Sequence, residues 1–149
     1  MNAEAGGMHD IPFLAFIGAR LDDWRAGVAR VALPLGPQHL NRSGVVHGGL
    51  YSVLVDAAGG LSGLYTGDPA APRKAFTLSL TTSFLDAVGS GTIVATGTVR
   101  RSGRRVYFAT VEIHADDRRL LAVGEGSFLF RASAGESSRS ARPAVNDDA

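Results

Sequence analysis

Between Ser43 and Gly67 the chain carries a single Asp, Glu, Lys or Arg, and that residue is Asp56. The larger apolar residues of this run fall at Leu50, Val53, Leu54, Leu61, Leu64 and Tyr65, with Ala57 and Ala58 in the same stripe. Their i, i+3, i+4, i+7 spacing predicts a helix with this stripe on a core. The opposite face carries Ser52, Asp56, Gly59 and Gly63 where a surface helix would carry charge, so a second surface is expected to pack closely there. Three glycines at roughly 1 kcal/mol each relative to Ala weaken a free helix, and tertiary contacts must hold it. Asp56 then becomes a carboxylate inside the fold. Such a group is costly unless paired and is frequent at functional sites; a core carboxylate satisfied by a hydroxyl or a backbone N–H is the structural alternative.

The helix is predicted to start at Gly48-Gly49. First-turn N–H groups lack intrahelical partners and sit at the positive end of the macrodipole. Glycine there lets a ligand oxygen approach without meeting a Cβ, although Gly48 is also what a tight turn alone would select.

Around this helix the chain reads as short strands. Residues 1–10 are small and polar and are expected to fray. Ile11 to Ile17 reads as a short helix or turn ending at Gly18, followed by strands over Ala19–Trp24 and Val28–Leu33 with a turn near Asp22-Asp23. Pro34, Gly36 and Pro37 stop the ladder and open the loop holding His39 and Asn41. After the helix, Phe76, Leu78, Leu80, Thr82 and Phe84 alternate with Thr77, Ser79, Thr81 and Ser83, which predicts a strand with one apolar face. Strands over Thr92–Arg101 and Arg104–Ala115 flank a Ser102-Gly103 turn, and Asp116-Asp117-Arg118 turns the chain into Leu120–Phe130. One long helix must therefore cover an antiparallel sheet of about six strands, an α+β fold in which the sheet wraps the helix. The expected domain spans residues 11–131; the tail from 132 to 149, rich in Ala, Ser, Arg and Asp, is expected to be disordered.

Composition narrows the chemistry. Without cysteine there is no disulfide, thiolate metal site or cysteine nucleophile, and the four histidines lack ligand spacing. A net charge of +1 gives no case for nucleic acid, no apolar run reaches the ~20 residues of a membrane span, and no secretory leader is evident. A cytoplasmic protein that needs neither metal nor cofactor is expected.

Asn41, Gly44, His47-Gly48-Gly49 and Asp56, followed by small residues, resemble the signature of hotdog-fold acyl-CoA thioesterases. The likeness is to the phenylacetate-degradation (PaaI-like) type within the 4-hydroxybenzoyl-CoA thioesterase superfamily, and it runs from about Pro12 to Phe130. The resemblance implies the hotdog fold and thioester hydrolysis. Asp56 would be general base or nucleophile, and the Gly48 N–H with Asn41 would hold the carbonyl oxygen. Asn41 read alone is equally a loop residue capping its own backbone. The resemblance also places a Ser or Thr beside the carboxylate, here Thr77, which propensity alone would explain as an ordinary strand threonine. His47 reads as a candidate catalytic group or, preferably, as a hydrogen-bonding anchor of the turn.

Gly48 and Asp56 lie eight residues apart, about 12 Å along one helix at 1.5 Å per residue. One carbonyl cannot span that distance, so the two groups are expected to act from different chains of a homodimer with composite sites. Either the dimer or a dimer of dimers is compatible with the chain, and the small face of Ser52, Asp56, Gly59 and Gly63 is the expected contact. Coenzyme A phosphates would meet Arg73, Arg101 and Arg104, with Lys74, Arg100 and Arg105 nearby; Gly49 and Tyr51 are further substrate-binding candidates. The alternatives are an acyl-CoA-binding protein without turnover, and a hotdog dehydratase or hydratase using His47 with Asp56.

Overall fold

The computed structural model describes residues 11–132; the expected flexible segments at 1–10 and 133–149 lie outside the described residues. A short helix α1 (Pro12–Phe16) leads into strands β1 (Arg20–Arg25) and β2 (Val28–Pro34). A 3-10 turn at Pro37–His39 precedes helix α2 (Gly48–Ser62), and strands β3 (Ala75–Phe84), β4 (Thr92–Ser102), β5 (Val106–Ala115) and β6 (Leu120–Phe130) follow. They form one antiparallel six-stranded sheet in the order β1-β2-β4-β5-β6-β3. The sheet curls around α2, as the single long helix led one to expect, and this is the hotdog arrangement that the resemblance implied. Among the described residues no helix is long and apolar enough to cross a membrane.

The buried stripe is rotated slightly from the one the spacing suggested: Leu54 and Ala58 reach the core as expected, and Tyr51 and Val55 join them. Tyr51, Leu54, Val55 and Ala58 lie in the core with Val31, Leu33, Ile93, Val111, Ile113 and Leu121. Leu50, Val53, Ala57 and Leu61 are only half-buried. The helix is apolar over more than one face, so periodicity alone could not tell which of these residues the chain's own sheet would cover.

The small-residue face is also reassigned. It was expected to meet a partner, but Ser52 Oγ donates to Thr82 Oγ1 on β3 at 3.1 Å, and Phe128 of β6 lies under Gly59. At Gly63 a Cβ would run into the Tyr107 ring, and at Gly97 it would overlap the Ala58 carbonyl. These glycines let the helix descend onto its own sheet, where any side chain would hold the layers apart.

Two strand expectations are corrected by bulges. Asp22 and Asp23 do not form a turn: β1 runs through them with a register shift between Leu21 and Asp23. The turn comes at Ala26-Gly27, where Gly27 has φ +75°. In β3 a register shift between Thr77 and Ser79 breaks the expected alternation. An extra residue on one strand changes which face its neighbours point to. Leu80 and Thr82 keep to the helix side, whereas Phe76 and Leu78 are exposed and Thr77 turns to the helix.

The two edges of the sheet differ in kind. β1 carries Arg20, Asp22, Asp23 and Arg25, and Asp22 and Asp23 form ion pairs with Arg30 and Arg25. Charge of this sort guards an edge against pairing. β3 has ten residues, none charged, and presents Phe76, Leu78 and Phe84 more than half exposed.

Candidate active site

The loop before α2 is built by backbone hydrogen bonds that return it on itself. Asn41 N–H donates to the Val45 carbonyl at 2.7 Å and Gly44 N–H to the Asn41 carbonyl at 3.0 Å, with Gly44 at φ +76°. Val46 N–H donates to the Val88 carbonyl at 2.8 Å, and His47 N–H to the His39 carbonyl at 2.9 Å. The buried His39 ring braces this from below: its Nδ1 accepts from Gly36 N–H at 2.9 Å and its Nε2 donates to the Ile17 carbonyl at 2.8 Å.

At the helix start His47 is the N-cap. Its Nδ1 accepts the Gly49 N–H at 3.0 Å, which requires that nitrogen to be unprotonated and satisfies one of the orphan donors of the first turn. This geometry matches the anchoring reading of His47. It also takes Gly49, a substrate-binding candidate, out of play as a free donor. Among the described residues the Gly48 N–H has no such partner, so the free donor of the first turn is at Gly48.

Asn41 does both things its sequence position allowed. Its Oδ1 accepts from Ser43 N–H at 2.8 Å and Val45 N–H at 3.4 Å, closing its own loop. With the oxygen engaged, the exposed side chain keeps its Nδ2 protons, and among the described residues they have no acceptor.

Asp56 lies one helix half away. The carboxylate expected inside the fold is half-buried, and Thr77 Oγ1 donates to its Oδ1 at 2.6 Å. The β3 bulge makes this contact possible. Tyr107, within a strand expected from the sequence but not singled out there, lies close by: burial and then the Asp56 charge push its phenol well above the usual range. α2 is continuous from Gly48 to Ser62, so the free N–H and the carboxylate remain about 12 Å apart along one axis. Two shallow hollows, one beside Arg30 and His114 and one beside Arg100 and Phe108, include none of Asn41, Gly48, Asp56 or Thr77.

The remaining candidates divide. Tyr51 is 3 % exposed in the single chain and packs in the core beside the Phe84 ring. Phe84 was not singled out from sequence, yet its exposed ring lies 3.4 Å from where a Cβ of Gly48 would be. Arg73 stacks over Phe130, and Arg101 and Arg104 are exposed near the β4–β5 turn. Backbone bonds from Phe130 to Arg105 and from Arg131 to Lys74, each 2.8 Å, gather these cations with Arg131 at one end of the sheet. Arg131 was missed because its proximity depends on the β3–β6 register. No group of three or more potential metal ligands exists among the described residues.

Comparison with known proteins follows the same lines. The family model described as the thioesterase superfamily matches residues 43–122, more than half of the chain. A Halobacterium salinarum protein named provisionally as an esterase is 31% identical over 132 residues, covering 82% of this chain and 87% of its own. Among solved structures, the Escherichia coli PaaI protein from the phenylacetic acid degradation operon superposes with a TM-score of 0.75 at 22% identity, covering 86% of this chain and 91% of that one. A thioesterase of Haemophilus influenzae superposes at 0.72 with 19% identity, covering 80% and 82%. At these identities the structural likeness speaks for the hotdog fold.

Proposed function

The chain belongs to the thioesterase superfamily, and from that premise we propose that it hydrolyses an acyl-CoA thioester at two composite sites of a homodimer. The observation that carries this reading is the division of one helix into two half-sites. A free N–H at Gly48 with the Asn41 amide beside the helix start, and a hydroxyl-bonded carboxylate at Asp56, each supply what the other lacks.

In this mechanism the Gly48 N–H and Asn41 Nδ2 of one protomer hold the thioester carbonyl oxygen and stabilise the negative charge that develops on it. Asp56 of the other protomer acts from the opposite side. With Oδ1 held by Thr77, Oδ2 can take a proton from water as the water oxygen bonds to the carbonyl carbon. When the tetrahedral intermediate collapses, the C–S bond breaks and the proton passes to the departing coenzyme A thiolate, leaving the free acid. Direct attack by the carboxylate would use the same residues. The reaction as written uses no metal or cofactor. His47, engaged as the cap, orients the helix start.

The unguarded β3 edge and the half-buried Leu50, Val53, Ala57 and Leu61 stripe supply apolar surface for the partner. The cations at the Asp56 end, Arg73, Arg101 and Arg104 among them, suit the phosphates of coenzyme A because a guanidinium can bind two oxygens at once. A dehydratase pairing of His47 with Asp56 within one chain is disfavoured by the nine-residue offset, ~13 Å along the helix, and across the dimer by the Gly49 N–H that already engages His47 Nδ1.

The direct test is release of free thiol from short, medium, long and aryl acyl-CoAs. Turnover of at least one class is expected. Saturable binding of all of them with no thiol released would favour a binding protein and contradict the proposal.

A further inference from the structure

The C-terminal end of α2 is held by side chains. The last carbonyls of a helix have no intrahelical donor. Here Ser62 Oγ donates to the Gly59 carbonyl at 2.7 Å, Tyr107 Oη to the Gly60 carbonyl at 2.6 Å and Trp24 Nε1 to the Leu61 carbonyl at 2.8 Å. Trp24 reaches the helix from β1 and Tyr107 from β5, so the end of the helix is gripped from two strands.

The two grips differ in where they lead. Tyr107 pairs with Phe128 across β5 and β6, and Phe128 pairs with Thr77 across β6 and β3. Thr77, Phe128 and Tyr107 are thus one cross-strand row beneath the helix. Asp56 rests on its first member through the 2.6 Å hydrogen bond. The second member lies 3.0 Å from where a Gly59 Cβ would be, and the third fills the space a Cβ of Gly63 would take. The Tyr107 and Phe128 rings stack at 5.0 Å and 18°, so two members of the row support each other across the strands. Gly59, Gly60 and Gly63 are the surface into which it fits.

We infer that Tyr107 is a positioning residue for the Asp56 carboxylate, setting through its bond to the Gly60 carbonyl the height and axial register at which Asp56 meets Thr77. The inference rests on the catalytic assignment of Asp56 made above. A catalytic group displaced by a fraction of an ångström loses rate without losing substrate affinity, so Tyr107 acts on kcat. Trp24, which caps the neighbouring carbonyl from outside the row, serves as the comparison, since a purely structural cap would have no preferential effect on kcat.

The test compares Tyr107→Phe and Trp24→Phe in thiol-release assays and thermal melts, with Asp56→Asn and Thr77→Val alongside. Tyr107→Phe should keep the ring, the fold and KM but lower kcat about tenfold. Trp24→Phe should lower the melting temperature comparably and leave kcat near wild type. Adding Tyr107→Phe to Thr77→Val should lower kcat little further, since both act through one contact. Wild-type kcat in Tyr107→Phe while Asp56→Asn is inactive would overturn the positioning role alone, as would equal kcat losses in the Tyr107 and Trp24 variants. An active Asp56→Asn would overturn the catalytic assignment and this inference with it. Should Tyr107→Phe fold poorly, Phe128→Leu, which loosens the same row, is expected to show the same loss of kcat at constant KM; an unchanged kcat there would contradict the inference.

Discussion

Thr77 Oγ1 donates to Asp56 Oδ1 across 2.6 Å, and it can do so because a one-residue bulge in β3 turns Thr77 toward the helix. The bond occupies one carboxylate oxygen and leaves the other for water. Asp56→Asn should therefore fold and lose at least about a hundredfold in kcat, whereas Thr77→Val should lose about tenfold because the carboxylate survives without its guide. Steady-state thiol release on both variants checks this; near wild-type turnover in Asp56→Asn would remove it from the mechanism.

Asn41 uses its oxygen for the loop and its nitrogen, in the proposed mechanism, for the substrate. Asn41→Asp separates the two, keeping an acceptor for Ser43 and Val45 while placing a repelling carboxylate where the donor was. Its melting temperature should stay near wild type while kcat falls about 10²- to 10³-fold, the usual loss for one oxyanion donor. Equal activity in Asn41→Asp and wild type would confine Asn41 to the loop.

The close approach of β4 to the helix predicts an intolerant glycine. Gly97→Ala puts a methyl group against the Ala58 carbonyl, backbone that cannot swing aside. A loss of about 1–3 kcal/mol is expected, read as an earlier midpoint in urea unfolding. An unchanged midpoint would mean that the two layers separate more easily than their packing suggests.

The uncharged β3 edge carries the oligomer in this account. Leu78 is 55 % exposed in the single chain, so Leu78→Lys adds charge at an edge without removing a core contact. Light scattering should show a shift toward half the mass, with activity falling in parallel and helical circular dichroism retained. A dimer of undiminished stability would place the interface elsewhere.

Much of this was legible in the sequence. A lone long helix among six short strands dictated the architecture, and the ends of β6 could be read off its flanking turn and tail. Gly48 and Asp56 stood out as candidates from local chemistry, one at the open first turn of the helix and the other its lone charged residue. The failures have physical causes. α2 is apolar over more than one face, so its pattern put Leu54 and Ala58 in the core but could not say that Tyr51 and Val55, instead of Leu50 and Val53, would join them. The bulges at Leu21/Asp23 and Thr77/Ser79 are register shifts, set by pairing with a distant strand and marked by no glycine or proline. Tyr107 carries no local mark of its place: only the pairing of β5 with β6 sets it with Phe128 against Gly59, Gly60 and Gly63. Arg131 joined the other cations only through the register of β3 with β6.

The central claim is that one thioester is held by one protomer and attacked from the other, because Gly48 and Asp56 stand ~12 Å apart on a single helix. Mixing two inactive variants measures this directly. Asn41→Ala and Asp56→Ala subunits, unfolded and refolded together in equal amounts, form roughly half heterodimers by random pairing. Each heterodimer has one site with both substitutions and one with neither, so about a quarter of wild-type activity should return while each variant refolded alone stays inactive. If mass analysis shows that the subunits have exchanged and no activity appears, the two halves of the site do not come from different chains and the composite mechanism is wrong.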